Sequence, residues 1–364
     1  MLKYRIGDTY HRGDKMALLK DLIVEITKRN NEGKELPLLG VNKDKEFMPS
    51  VANVIGTDLS NYKIVNKRQF ATNLMHVDRD ELVPVSMLED YDEALISPAY
   101  NVFQVKNEKI VIPEYLLLCF KRSEFDRCAW FYSGSSIRGN LDYKKFLEID
   151  IPLPDIDKQK KIIDDYKAIQ KEIRIKEAIN NNLLEQGCAL CKSVFPITEE
   201  TNHKLEEFFP IITGKKNTEV AGIEGKYPFF SCSQDILYTN EYSFEGSAIL
   251  LAGNGDFNIK FYSGKFEAYQ RTYVLIPYNS KLCGLIFFIM KANIDKITKG
   301  NRGSVISFIV KGMISYFKIT LPDNYINYKE IDMLNELLNL ISINEKEIVS
   351  LHKLQETLLR SIAQ

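Results

Sequence analysis

The sequence predicts an α+β protein in which two mixed α/β domains alternate with two long α-helices that pair as an antiparallel coiled coil, forming an internal pseudo-twofold repeat. The main observation is that a proline-broken apolar strand followed by a heptad-patterned helix occurs twice. The strand is Ile151–Asp155 in the first copy and Ile319–Asp323 in the second, 168 residues later. The same offset relates the apolar run Leu116–Phe120 to Gly284–Phe288. A repeat of this length makes each unit a domain of its own, because solenoid units are only about 20 to 50 residues long.

Four segments follow from this repeat. They are a first domain (1–154), a spacer helix (155–195), a second domain (196–322) and a second spacer helix (323–364). Short β-rich runs bounded by turn residues predict that both domains are mixed α/β. Asp155 and Asp323 each follow a proline where a helix is expected to begin. We therefore expect both carboxylates to be N-terminal caps rather than acid-base groups.

Both helical segments carry an apolar seam with steps of three and four residues. The first would be about 50 Å long, which is more than a small domain needs for its own core. A polar residue in a core layer fixes the register of a coiled coil, and Lys176 and Asn344 fall at equivalent layers. The expected pairing positions are Ile169, Ile173, Lys176, Leu183, Leu337, Ile341, Asn344 and Leu351. The alternative is that each helix lies on its own domain.

The composition is that of a globular protein, with 45% hydrophobic and 27% charged residues. No apolar run reaches the roughly 18 to 20 residues that a membrane-spanning helix needs. Charged residues such as Arg5 and Asp8 stand where a signal peptide would be apolar, so we expect a cytoplasmic protein. The Cys188 and Cys191 pair has the C-x-x-C spacing but no second ligand pair, and we expect free thiols.

The sequence contains no motif that predicts catalysis, a metal site or a cofactor. It has no P-loop, no strand-linked G-x-G-x-x-G, no H-E-x-x-H and no G-x-S-x-G. The run Leu251–Asp256 contains two glycines but lacks the third glycine and a following helical pattern. We therefore predict a hairpin turn there rather than a phosphate-binding loop.

Basic and amide side chains cluster at the predicted turns of both domains. Such side chains can reach base edges or neutralise phosphate. The candidates are Lys67, Arg68, Gln69, Arg138, Lys215, Lys216, Gln234, Lys260, Gln270, Arg271 and Arg302. The net charge of −1 does not indicate a nucleic-acid-binding protein, and mixed charge at turns is usually solvated surface. A near-neutral chain can still bind DNA through a local basic face.

The order of domain, helix, domain and helix resembles the specificity subunit of type I restriction-modification enzymes. The resemblance covers essentially the whole chain, including the strand end Ile151–Pro154 and the stretch Gly225–Ser231 at the second domain. The family often has Glu-Gln soon after the proline motif. Asp157–Gln159 approximates this pair in the first copy, and Asn324–Lys329 lacks it in the second.

The resemblance implies that each domain is a target-recognition domain reading one half of a bipartite site in double-stranded DNA, while the helices set the spacer. It also implies two partner modification subunits, which bind S-adenosylmethionine and methylate adenine, and restriction subunits that join them in phage defence. This chain would then be non-catalytic and hold no cofactor. Two other function classes stay open, a coiled-coil protein-interaction adaptor without DNA binding and a nuclease or methyltransferase with diverged motifs.

Overall fold

The computed structural model describes residues 15–51, 56–75, 77–134, 139–299 and 307–362. The chain divides into two compact units. One consists of Met1–Glu172 together with Leu351–Gln364, and the other is Ile173–Ser350. Among the described residues, no helix is long and apolar enough to cross a membrane.

The first unit combines short strands with a buried apolar helix. Its strands are β1 (Met16–Leu18), β2 (Ile23–Ile26), β3 (Leu38–Val41), β4 (Phe47–Pro49), β5 (Lys63–Asn66), β6 (Phe70–Thr72), β7 (Val85–Met87), β8 (Glu93–Ile96), β9 (Asn101–Val105) and β10 (Asp150–Pro152). Its helices are α1 (Leu19–Leu22), α2 (Val77–Asp80), α3 (Pro113–Phe120), α4 (Ser123–Ser133), α5 (Tyr143–Phe146) and the start of α6 (Ile156–Val194). Two four-stranded sheets have the orders β2-β9-β6-β7 and β4-β3-β8-β5, and β1 pairs with β10.

Aromatic packing builds the core of the first unit around α3. The rings of Phe70 and Phe103 stack with their centroids 5.2 Å apart. Phe120 of α3 meets both rings edge-on at 5.7 and 6.1 Å. Tyr166 of α6 and Ile362 near the end of the chain belong to the same buried cluster. The apolar run that marked the first repeat is therefore a helix covered by the sheet.

The second unit contains one larger sheet. Its strands are β11 (His203–Lys204), β12 (Ile211–Thr213), β13 (Tyr227–Phe230), β14 (Ile236–Thr239), β15 (Phe244–Ala252), β16 (Ile259–Ala268), β17 (Thr272–Leu275) and β18 (Lys318–Ile319). Its helices are α7 (Cys283–Ala292), α8 (Ile294–Ile297), α9 (Lys311–Ser315), most of α10 (Lys329–Ser361) and the rest of α6. The six-stranded order is β12-β17-β15-β16-β13-β14, and β11 pairs with β18.

The predicted hairpin turn after Leu251 is confirmed. Strands β15 and β16 pair antiparallel, with Leu251 opposite Ile259. The predicted cap at Asp155 is also confirmed, since its Oδ1 accepts a hydrogen bond from the amide of Lys158 at 2.8 Å.

The predicted cap at Asp323 is wrong, because α10 begins only at Lys329. The next residue, Asn324, has a left-handed backbone with φ 56°, and a 3-10 helix (Tyr325–Asn327) follows it. These residues separate Asp323 from the first turn of α10, so its carboxylate lies too early in the chain to cap the helix.

A side-chain amide in each unit, buried at Gln159 and half-buried at Asn335, holds the start of the apolar helix. Gln159 of α6 is fully buried, and its Oε1 accepts a hydrogen bond from the amide of Ile112, which precedes α3. Its Nε2 donates to the carbonyl of Ile110 at 3.0 Å. In the second unit the Oδ1 of Asn335 on α10 accepts from the amide of Gly284 in α7 at 2.8 Å. The side-chain amide of Asn335 thus makes a contact of the same kind in the second unit.

Polar contacts also join α6 to α10 within the second unit. The Nδ2 of Asn344 donates to the Oδ1 of Asn180 at 2.8 Å, and the Nδ2 of Asn180 donates to the carbonyl of Ile341 at 3.3 Å. Lys176 forms an ion pair with Glu347. Asn180 is buried, so its amide has exchanged water for these partners.

The other predicted pairing positions differ in burial. Ile173 and Ile341 are buried, whereas Ile169, Leu183, Leu337 and Leu351 are half-buried. Leu183 and Leu337 pack against the core of the second unit.

Candidate nucleic-acid interface

The described candidates of the second domain lie on or beside four loops that touch one another. These loops, here called the loop cluster, are residues 214–217, 231–235, 253–258 and 269–271. The amide of Gly253 donates to the carbonyl of Arg271 at 2.9 Å, and the amide of Gln270 donates to the carbonyl of Lys216 at 3.0 Å. Side chains that are far apart in the sequence are thereby brought to one place.

Side-chain contacts tie two of these loops to each other. The Nε2 of Gln234 donates to the Oδ2 of Asp256 at 3.2 Å. Lys260, at the start of β16, donates to the carbonyl of Ser233. Burial lowers the pKa of Lys260 below its ordinary value, because removing water penalises the charged ammonium. Both candidates therefore already have partners within their own domain.

Two glycines allow the loops to approach this closely. A Cβ added to Gly253 would lie 2.2 Å from the carbonyl oxygen of Arg271, and one added to Gly214 would lie 2.1 Å from that of Ala268. Any side chain at either position would push the loops apart. These glycines set the spacing of the loop cluster through close backbone approach rather than through a special backbone angle.

Cationic groups at the loop cluster differ in how far they are neutralised. Lys216 forms an ion pair with Glu241 at 3.0 Å, and that hydrogen bond raises the pKa of the lysine. Lys215, Gln270 and Arg271 are exposed. Within the described parts of the chain, the guanidinium of Arg271 has no carboxylate partner, so its donors are available to a ligand.

In the first domain, Lys67, Arg68 and Gln69 lie between β5 and β6. Arg68 adopts a left-handed backbone with φ 66°. Its guanidinium pairs with Glu108 at 2.8 Å and with Glu114 at the start of α3. Lys67 is exposed and free to meet a ligand.

Gln69 is buried and serves its own sheet. Its Nε2 donates to the Oε1 of Gln104 at 2.9 Å, and its Oε1 accepts from the amide of Asn66 at 2.9 Å. The remaining two candidates, Arg138 and Arg302, lie outside the described residues.

A further basic patch in the first domain was not singled out from the sequence. Lys28 and Lys34 flank the carboxylate of Glu93 at 2.9 and 3.3 Å. Arg29 is exposed, and its Nη1 donates to the carbonyl of Asn61 at 3.3 Å. The dibasic pair Lys28 and Arg29, one residue beyond the end of β2, is the sequence signal that could have found it.

The C-x-x-C thiols are not poised for reaction or metal binding. Burial raises the pKa of Cys188 and raises that of Cys191 to about 12, so both stay protonated at neutral pH. Among the described residues, no group of three or more metal-ligating side chains is assembled.

The fold and this interface define a class of two-domain protein with basic and amide loops on α/β domains. Residues 84–185 and 199–353 match the model of the type I restriction modification DNA specificity domain family. Since these spans make up more than half of the chain, it belongs to this family. The resemblance noted from the sequence is thereby confirmed.

The chain is also similar to two known proteins. It is 44% identical over 119 residues to the type I restriction enzyme EcoDI specificity subunit of Escherichia coli, a stretch that covers 33% of this chain and 27% of that protein. The chain thus aligns with about a quarter of that relative's length. The crystal structure of the type I restriction-modification S subunit from M. genitalium has a TM-score of 0.52 at 15% identity, covering 98% of this chain and 97% of that one. This likeness shows a shared fold, and mixed helix and sheet content was correctly predicted.

Proposed function

We propose that this chain is the DNA specificity subunit of a type I restriction-modification complex. Each domain would read one half of a bipartite site in double-stranded DNA. The observation that carries the proposal is that the family match falls in two spans, each with part of a domain and part of the long helix after it. Two DNA specificity units in one chain suit a target with two halves.

The proposed DNA contacts are the eleven candidates predicted from the sequence. Five of them are exposed in the described structure, Lys67, Lys215, Gln234, Gln270 and Arg271, and of these Gln234 already donates to Asp256. Exposed side chains without a protein partner can bind bases and phosphates most readily, because an ion-paired donor must first lose its partner. Candidates that already have protein partners would bind DNA only by exchanging them.

The helices are proposed to form an antiparallel coiled coil that sets the spacer between the half-sites. The contacts of Lys176 with Glu347 and of Asn180 with Asn344 support this arrangement. From the first contact to the second, the residue number rises from 176 to 180 on α6 and falls from 347 to 344 on α10. This is the pattern of two helices that run in opposite directions. Burying an asparagine pair in such a seam would fix its register.

The proposed internal repeat is supported by the short sheet in each unit. Strand β1 pairs antiparallel with β10 in the first unit, and β11 pairs with β18 in the second. In both cases the later strand belongs to the proline motif. The amide of Leu19 donates to the carbonyl of Ile149 at 3.0 Å, and the amide of Leu205 donates to that of Phe317 at 3.1 Å. Ile149 and Phe317 are again separated by 168 residues.

The chain is proposed to act without catalysing a reaction itself. Two modification subunits, holding S-adenosylmethionine, would dock on the helices, and restriction subunits would join the cytoplasmic complex. Large apolar side chains exposed on the helices support docking, because a bound partner would remove them from water. They are Ile175 and Ile179 on α6 and Met333, Leu340, Ile343 and Leu354 on α10.

Selection from random duplex DNA tests the proposal. The chain would be co-purified with its modification subunit, and bound duplexes would be enriched and sequenced. We expect two defined blocks of bases separated by an unspecified spacer of fixed length. Enrichment no greater than that of the modification subunit alone would reject the specificity role.

A further inference from the structure

The two domains share a pattern of strand pairing. Strand β13 pairs parallel with β16 and antiparallel with β14, and in the first domain β3 pairs parallel with β8 and antiparallel with β4. Strand β17 lies between β12 and β15, and β9 lies between β2 and β6. The two sheets of the first domain therefore repeat the strand order of the six-stranded sheet, provided that two long strands are each divided in two. Strands β5 and β6 together correspond to β15, and β7 and β8 together correspond to β16.

The register of the pairs agrees with this correspondence. Met87 lies opposite the first residue of β6, and Ile96 lies opposite β3, nine residues later. In the second domain Ile259 lies opposite β15, and Ala268, also nine residues later, lies opposite β13. The segment between these two pairing positions has the same length in both domains. Met87 therefore corresponds to Ile259, and Ile96 corresponds to Ala268.

Applied to Gln69, this correspondence indicates a structural role. Phe70, which pairs with Met87, corresponds to Leu251, which pairs with Ile259. Gln69 therefore corresponds to Leu250, and Gln104 corresponds to Val274. Leu250 and Val274 are buried and lie opposite each other. The amide pair of Gln69 and Gln104 thus replaces an apolar pair inside the sheet.

The same correspondence places a basic pair where the loop cluster begins. Ile211 lies opposite the last residue of β17, and Ile23 lies opposite the last residue of β9, so these two isoleucines correspond. Lys216 comes five residues after Ile211, and Lys28 comes five residues after Ile23. Lys28 and its neighbour Arg29 therefore occupy in the first domain the loop that carries Lys216 in the second.

The surroundings of Arg29 suit a recognition role. Its Nη1 donates to the carbonyl and the side-chain oxygen of Asn61 at 3.3 and 3.4 Å. Asn61 is neutral, and within the described residues no carboxylate pairs with Arg29. Arg29 also forms a β-bridge with Lys63, whose ammonium donates to the carbonyl of Tyr100 at 2.6 Å. The guanidinium is held in place while most of its five donors stay available for a base edge.

We propose that Arg29 contacts DNA and helps to specify the first half-site, with Lys28 beside it. This inference rests on the proposed function, because only a DNA specificity subunit has half-sites to read. It adds a contact that the turn residues Lys67 to Gln69 do not supply.

The test compares Arg29→Ala with the control Arg127→Ala in the complex with the modification subunit. Arg127 is an exposed arginine on α4 that pairs with Glu124 at 3.3 Å. The selected DNA motif would be determined for each variant. For Arg29→Ala we expect about a ten-fold loss of discrimination at one or more positions of the first half-site, with the second half-site unchanged. The control should keep the wild-type motif.

Three outcomes would overturn the inference. The first is an unchanged motif and affinity in Arg29→Ala, and the second is equal weakening on all DNA sequences. The third is full specificity in Arg29→Lys, which keeps the charge but loses the planar fork. If the wild-type complex itself selects no bipartite motif, the proposed function fails, and this result is distinguishable from a failure at Arg29 alone.

Discussion

At the scale of single residues, the ion pair of buried Lys45 with half-buried Asp126 shows that a basic side chain at a turn can be structural. The Nζ of Lys45 lies 2.7 Å from the carboxylate of Asp126 and also donates to the carbonyl of Phe120. Burial lowers the pKa of Lys45 and raises that of Asp126, because each charge has lost water. Asp126 further accepts from the amide of Val83 at 3.0 Å. This lysine joins the turn after β3 to helix α4.

Removing the ammonium should destabilise the first unit. Lys45→Met leaves the carboxylate of Asp126 largely buried without its counter-charge, and we expect a loss of about 3 kcal/mol in the free energy of unfolding. Urea denaturation measures the change. The control Lys67→Met, at an exposed turn, should alter stability by less than about 0.5 kcal/mol. Similar losses in both variants would contradict the structural role of this pair.

Residues of the loop cluster should reveal their roles through salt dependence. We expect Arg271→Ala to weaken binding of the complex to its target DNA by about ten-fold and to act mainly on the second half-site. The control Lys311→Ala changes an exposed lysine on α9. Affinities for target and unrelated duplexes would be measured at several salt concentrations.

Two results would assign Arg271 differently. Uniform weakening on all duplexes, with a salt slope reduced by about 1, would make it a phosphate contact. Wild-type binding to both duplexes would remove it from the interface.

At the scale of elements, the buried amide of Gln159 and the half-buried amide of Asn335 explain how each long helix is joined to an apolar helix. Gln159→Leu would leave the amide of Ile112 and the carbonyl of Ile110 without their partners. We expect a loss of about 1 to 3 kcal/mol in the free energy of unfolding, and a comparable loss for Asn335→Leu. Asn181→Leu, at an exposed position of α6, is the control.

Chemical denaturation with a secondary-structure probe measures these stabilities. If Gln159→Leu were as stable as Asn181→Leu, the buried amide would not be needed to hold α3.

The asparagine contact between α6 and α10 should fix the register of the two helices while stabilising their packing less than an apolar pair would. Asn180→Leu alone leaves the amide of Asn344 without its partner, so we expect a loss of about 1 kcal/mol. The double variant Asn180→Leu with Asn344→Leu should recover or exceed wild-type stability, because apolar side chains pack well in a helical seam. A double-mutant cycle measured by urea denaturation gives the coupling energy. A coupling energy near zero would show that the two amides act independently.

Local patterns in the sequence were enough for the two long helices and one hairpin turn, but not for side-chain partners. The repeated proline motif predicted both long helices, and the glycines after Leu251 predicted the hairpin turn. The start of α10 was misplaced because the left-handed residue Asn324 does not alter the heptad pattern. Arg68 and Gln69 were proposed as DNA contacts, yet their protein partners Glu114 and Gln104 are 46 and 35 residues away. No local pattern reveals such contacts.

At the scale of the whole molecule, the distribution of charge agrees with the proposed recognition of DNA. The net charge is only −1, while cationic and amide side chains gather on loops of each domain. Local basic faces attract phosphate without making the whole chain basic. The two domains carry different basic and amide residues on their loops, which predicts an asymmetric target with unlike half-sites.

Methylation mapping in cells tests the DNA specificity role most directly. The chain would be co-expressed with its modification subunit, and methylated adenines would be located across the host genome by single-molecule sequencing. We expect one split motif with two unlike halves and a spacer of constant length. A stable complex that produces no new methylation, or methylation without a two-part motif, would contradict the role of this chain as the specificity subunit.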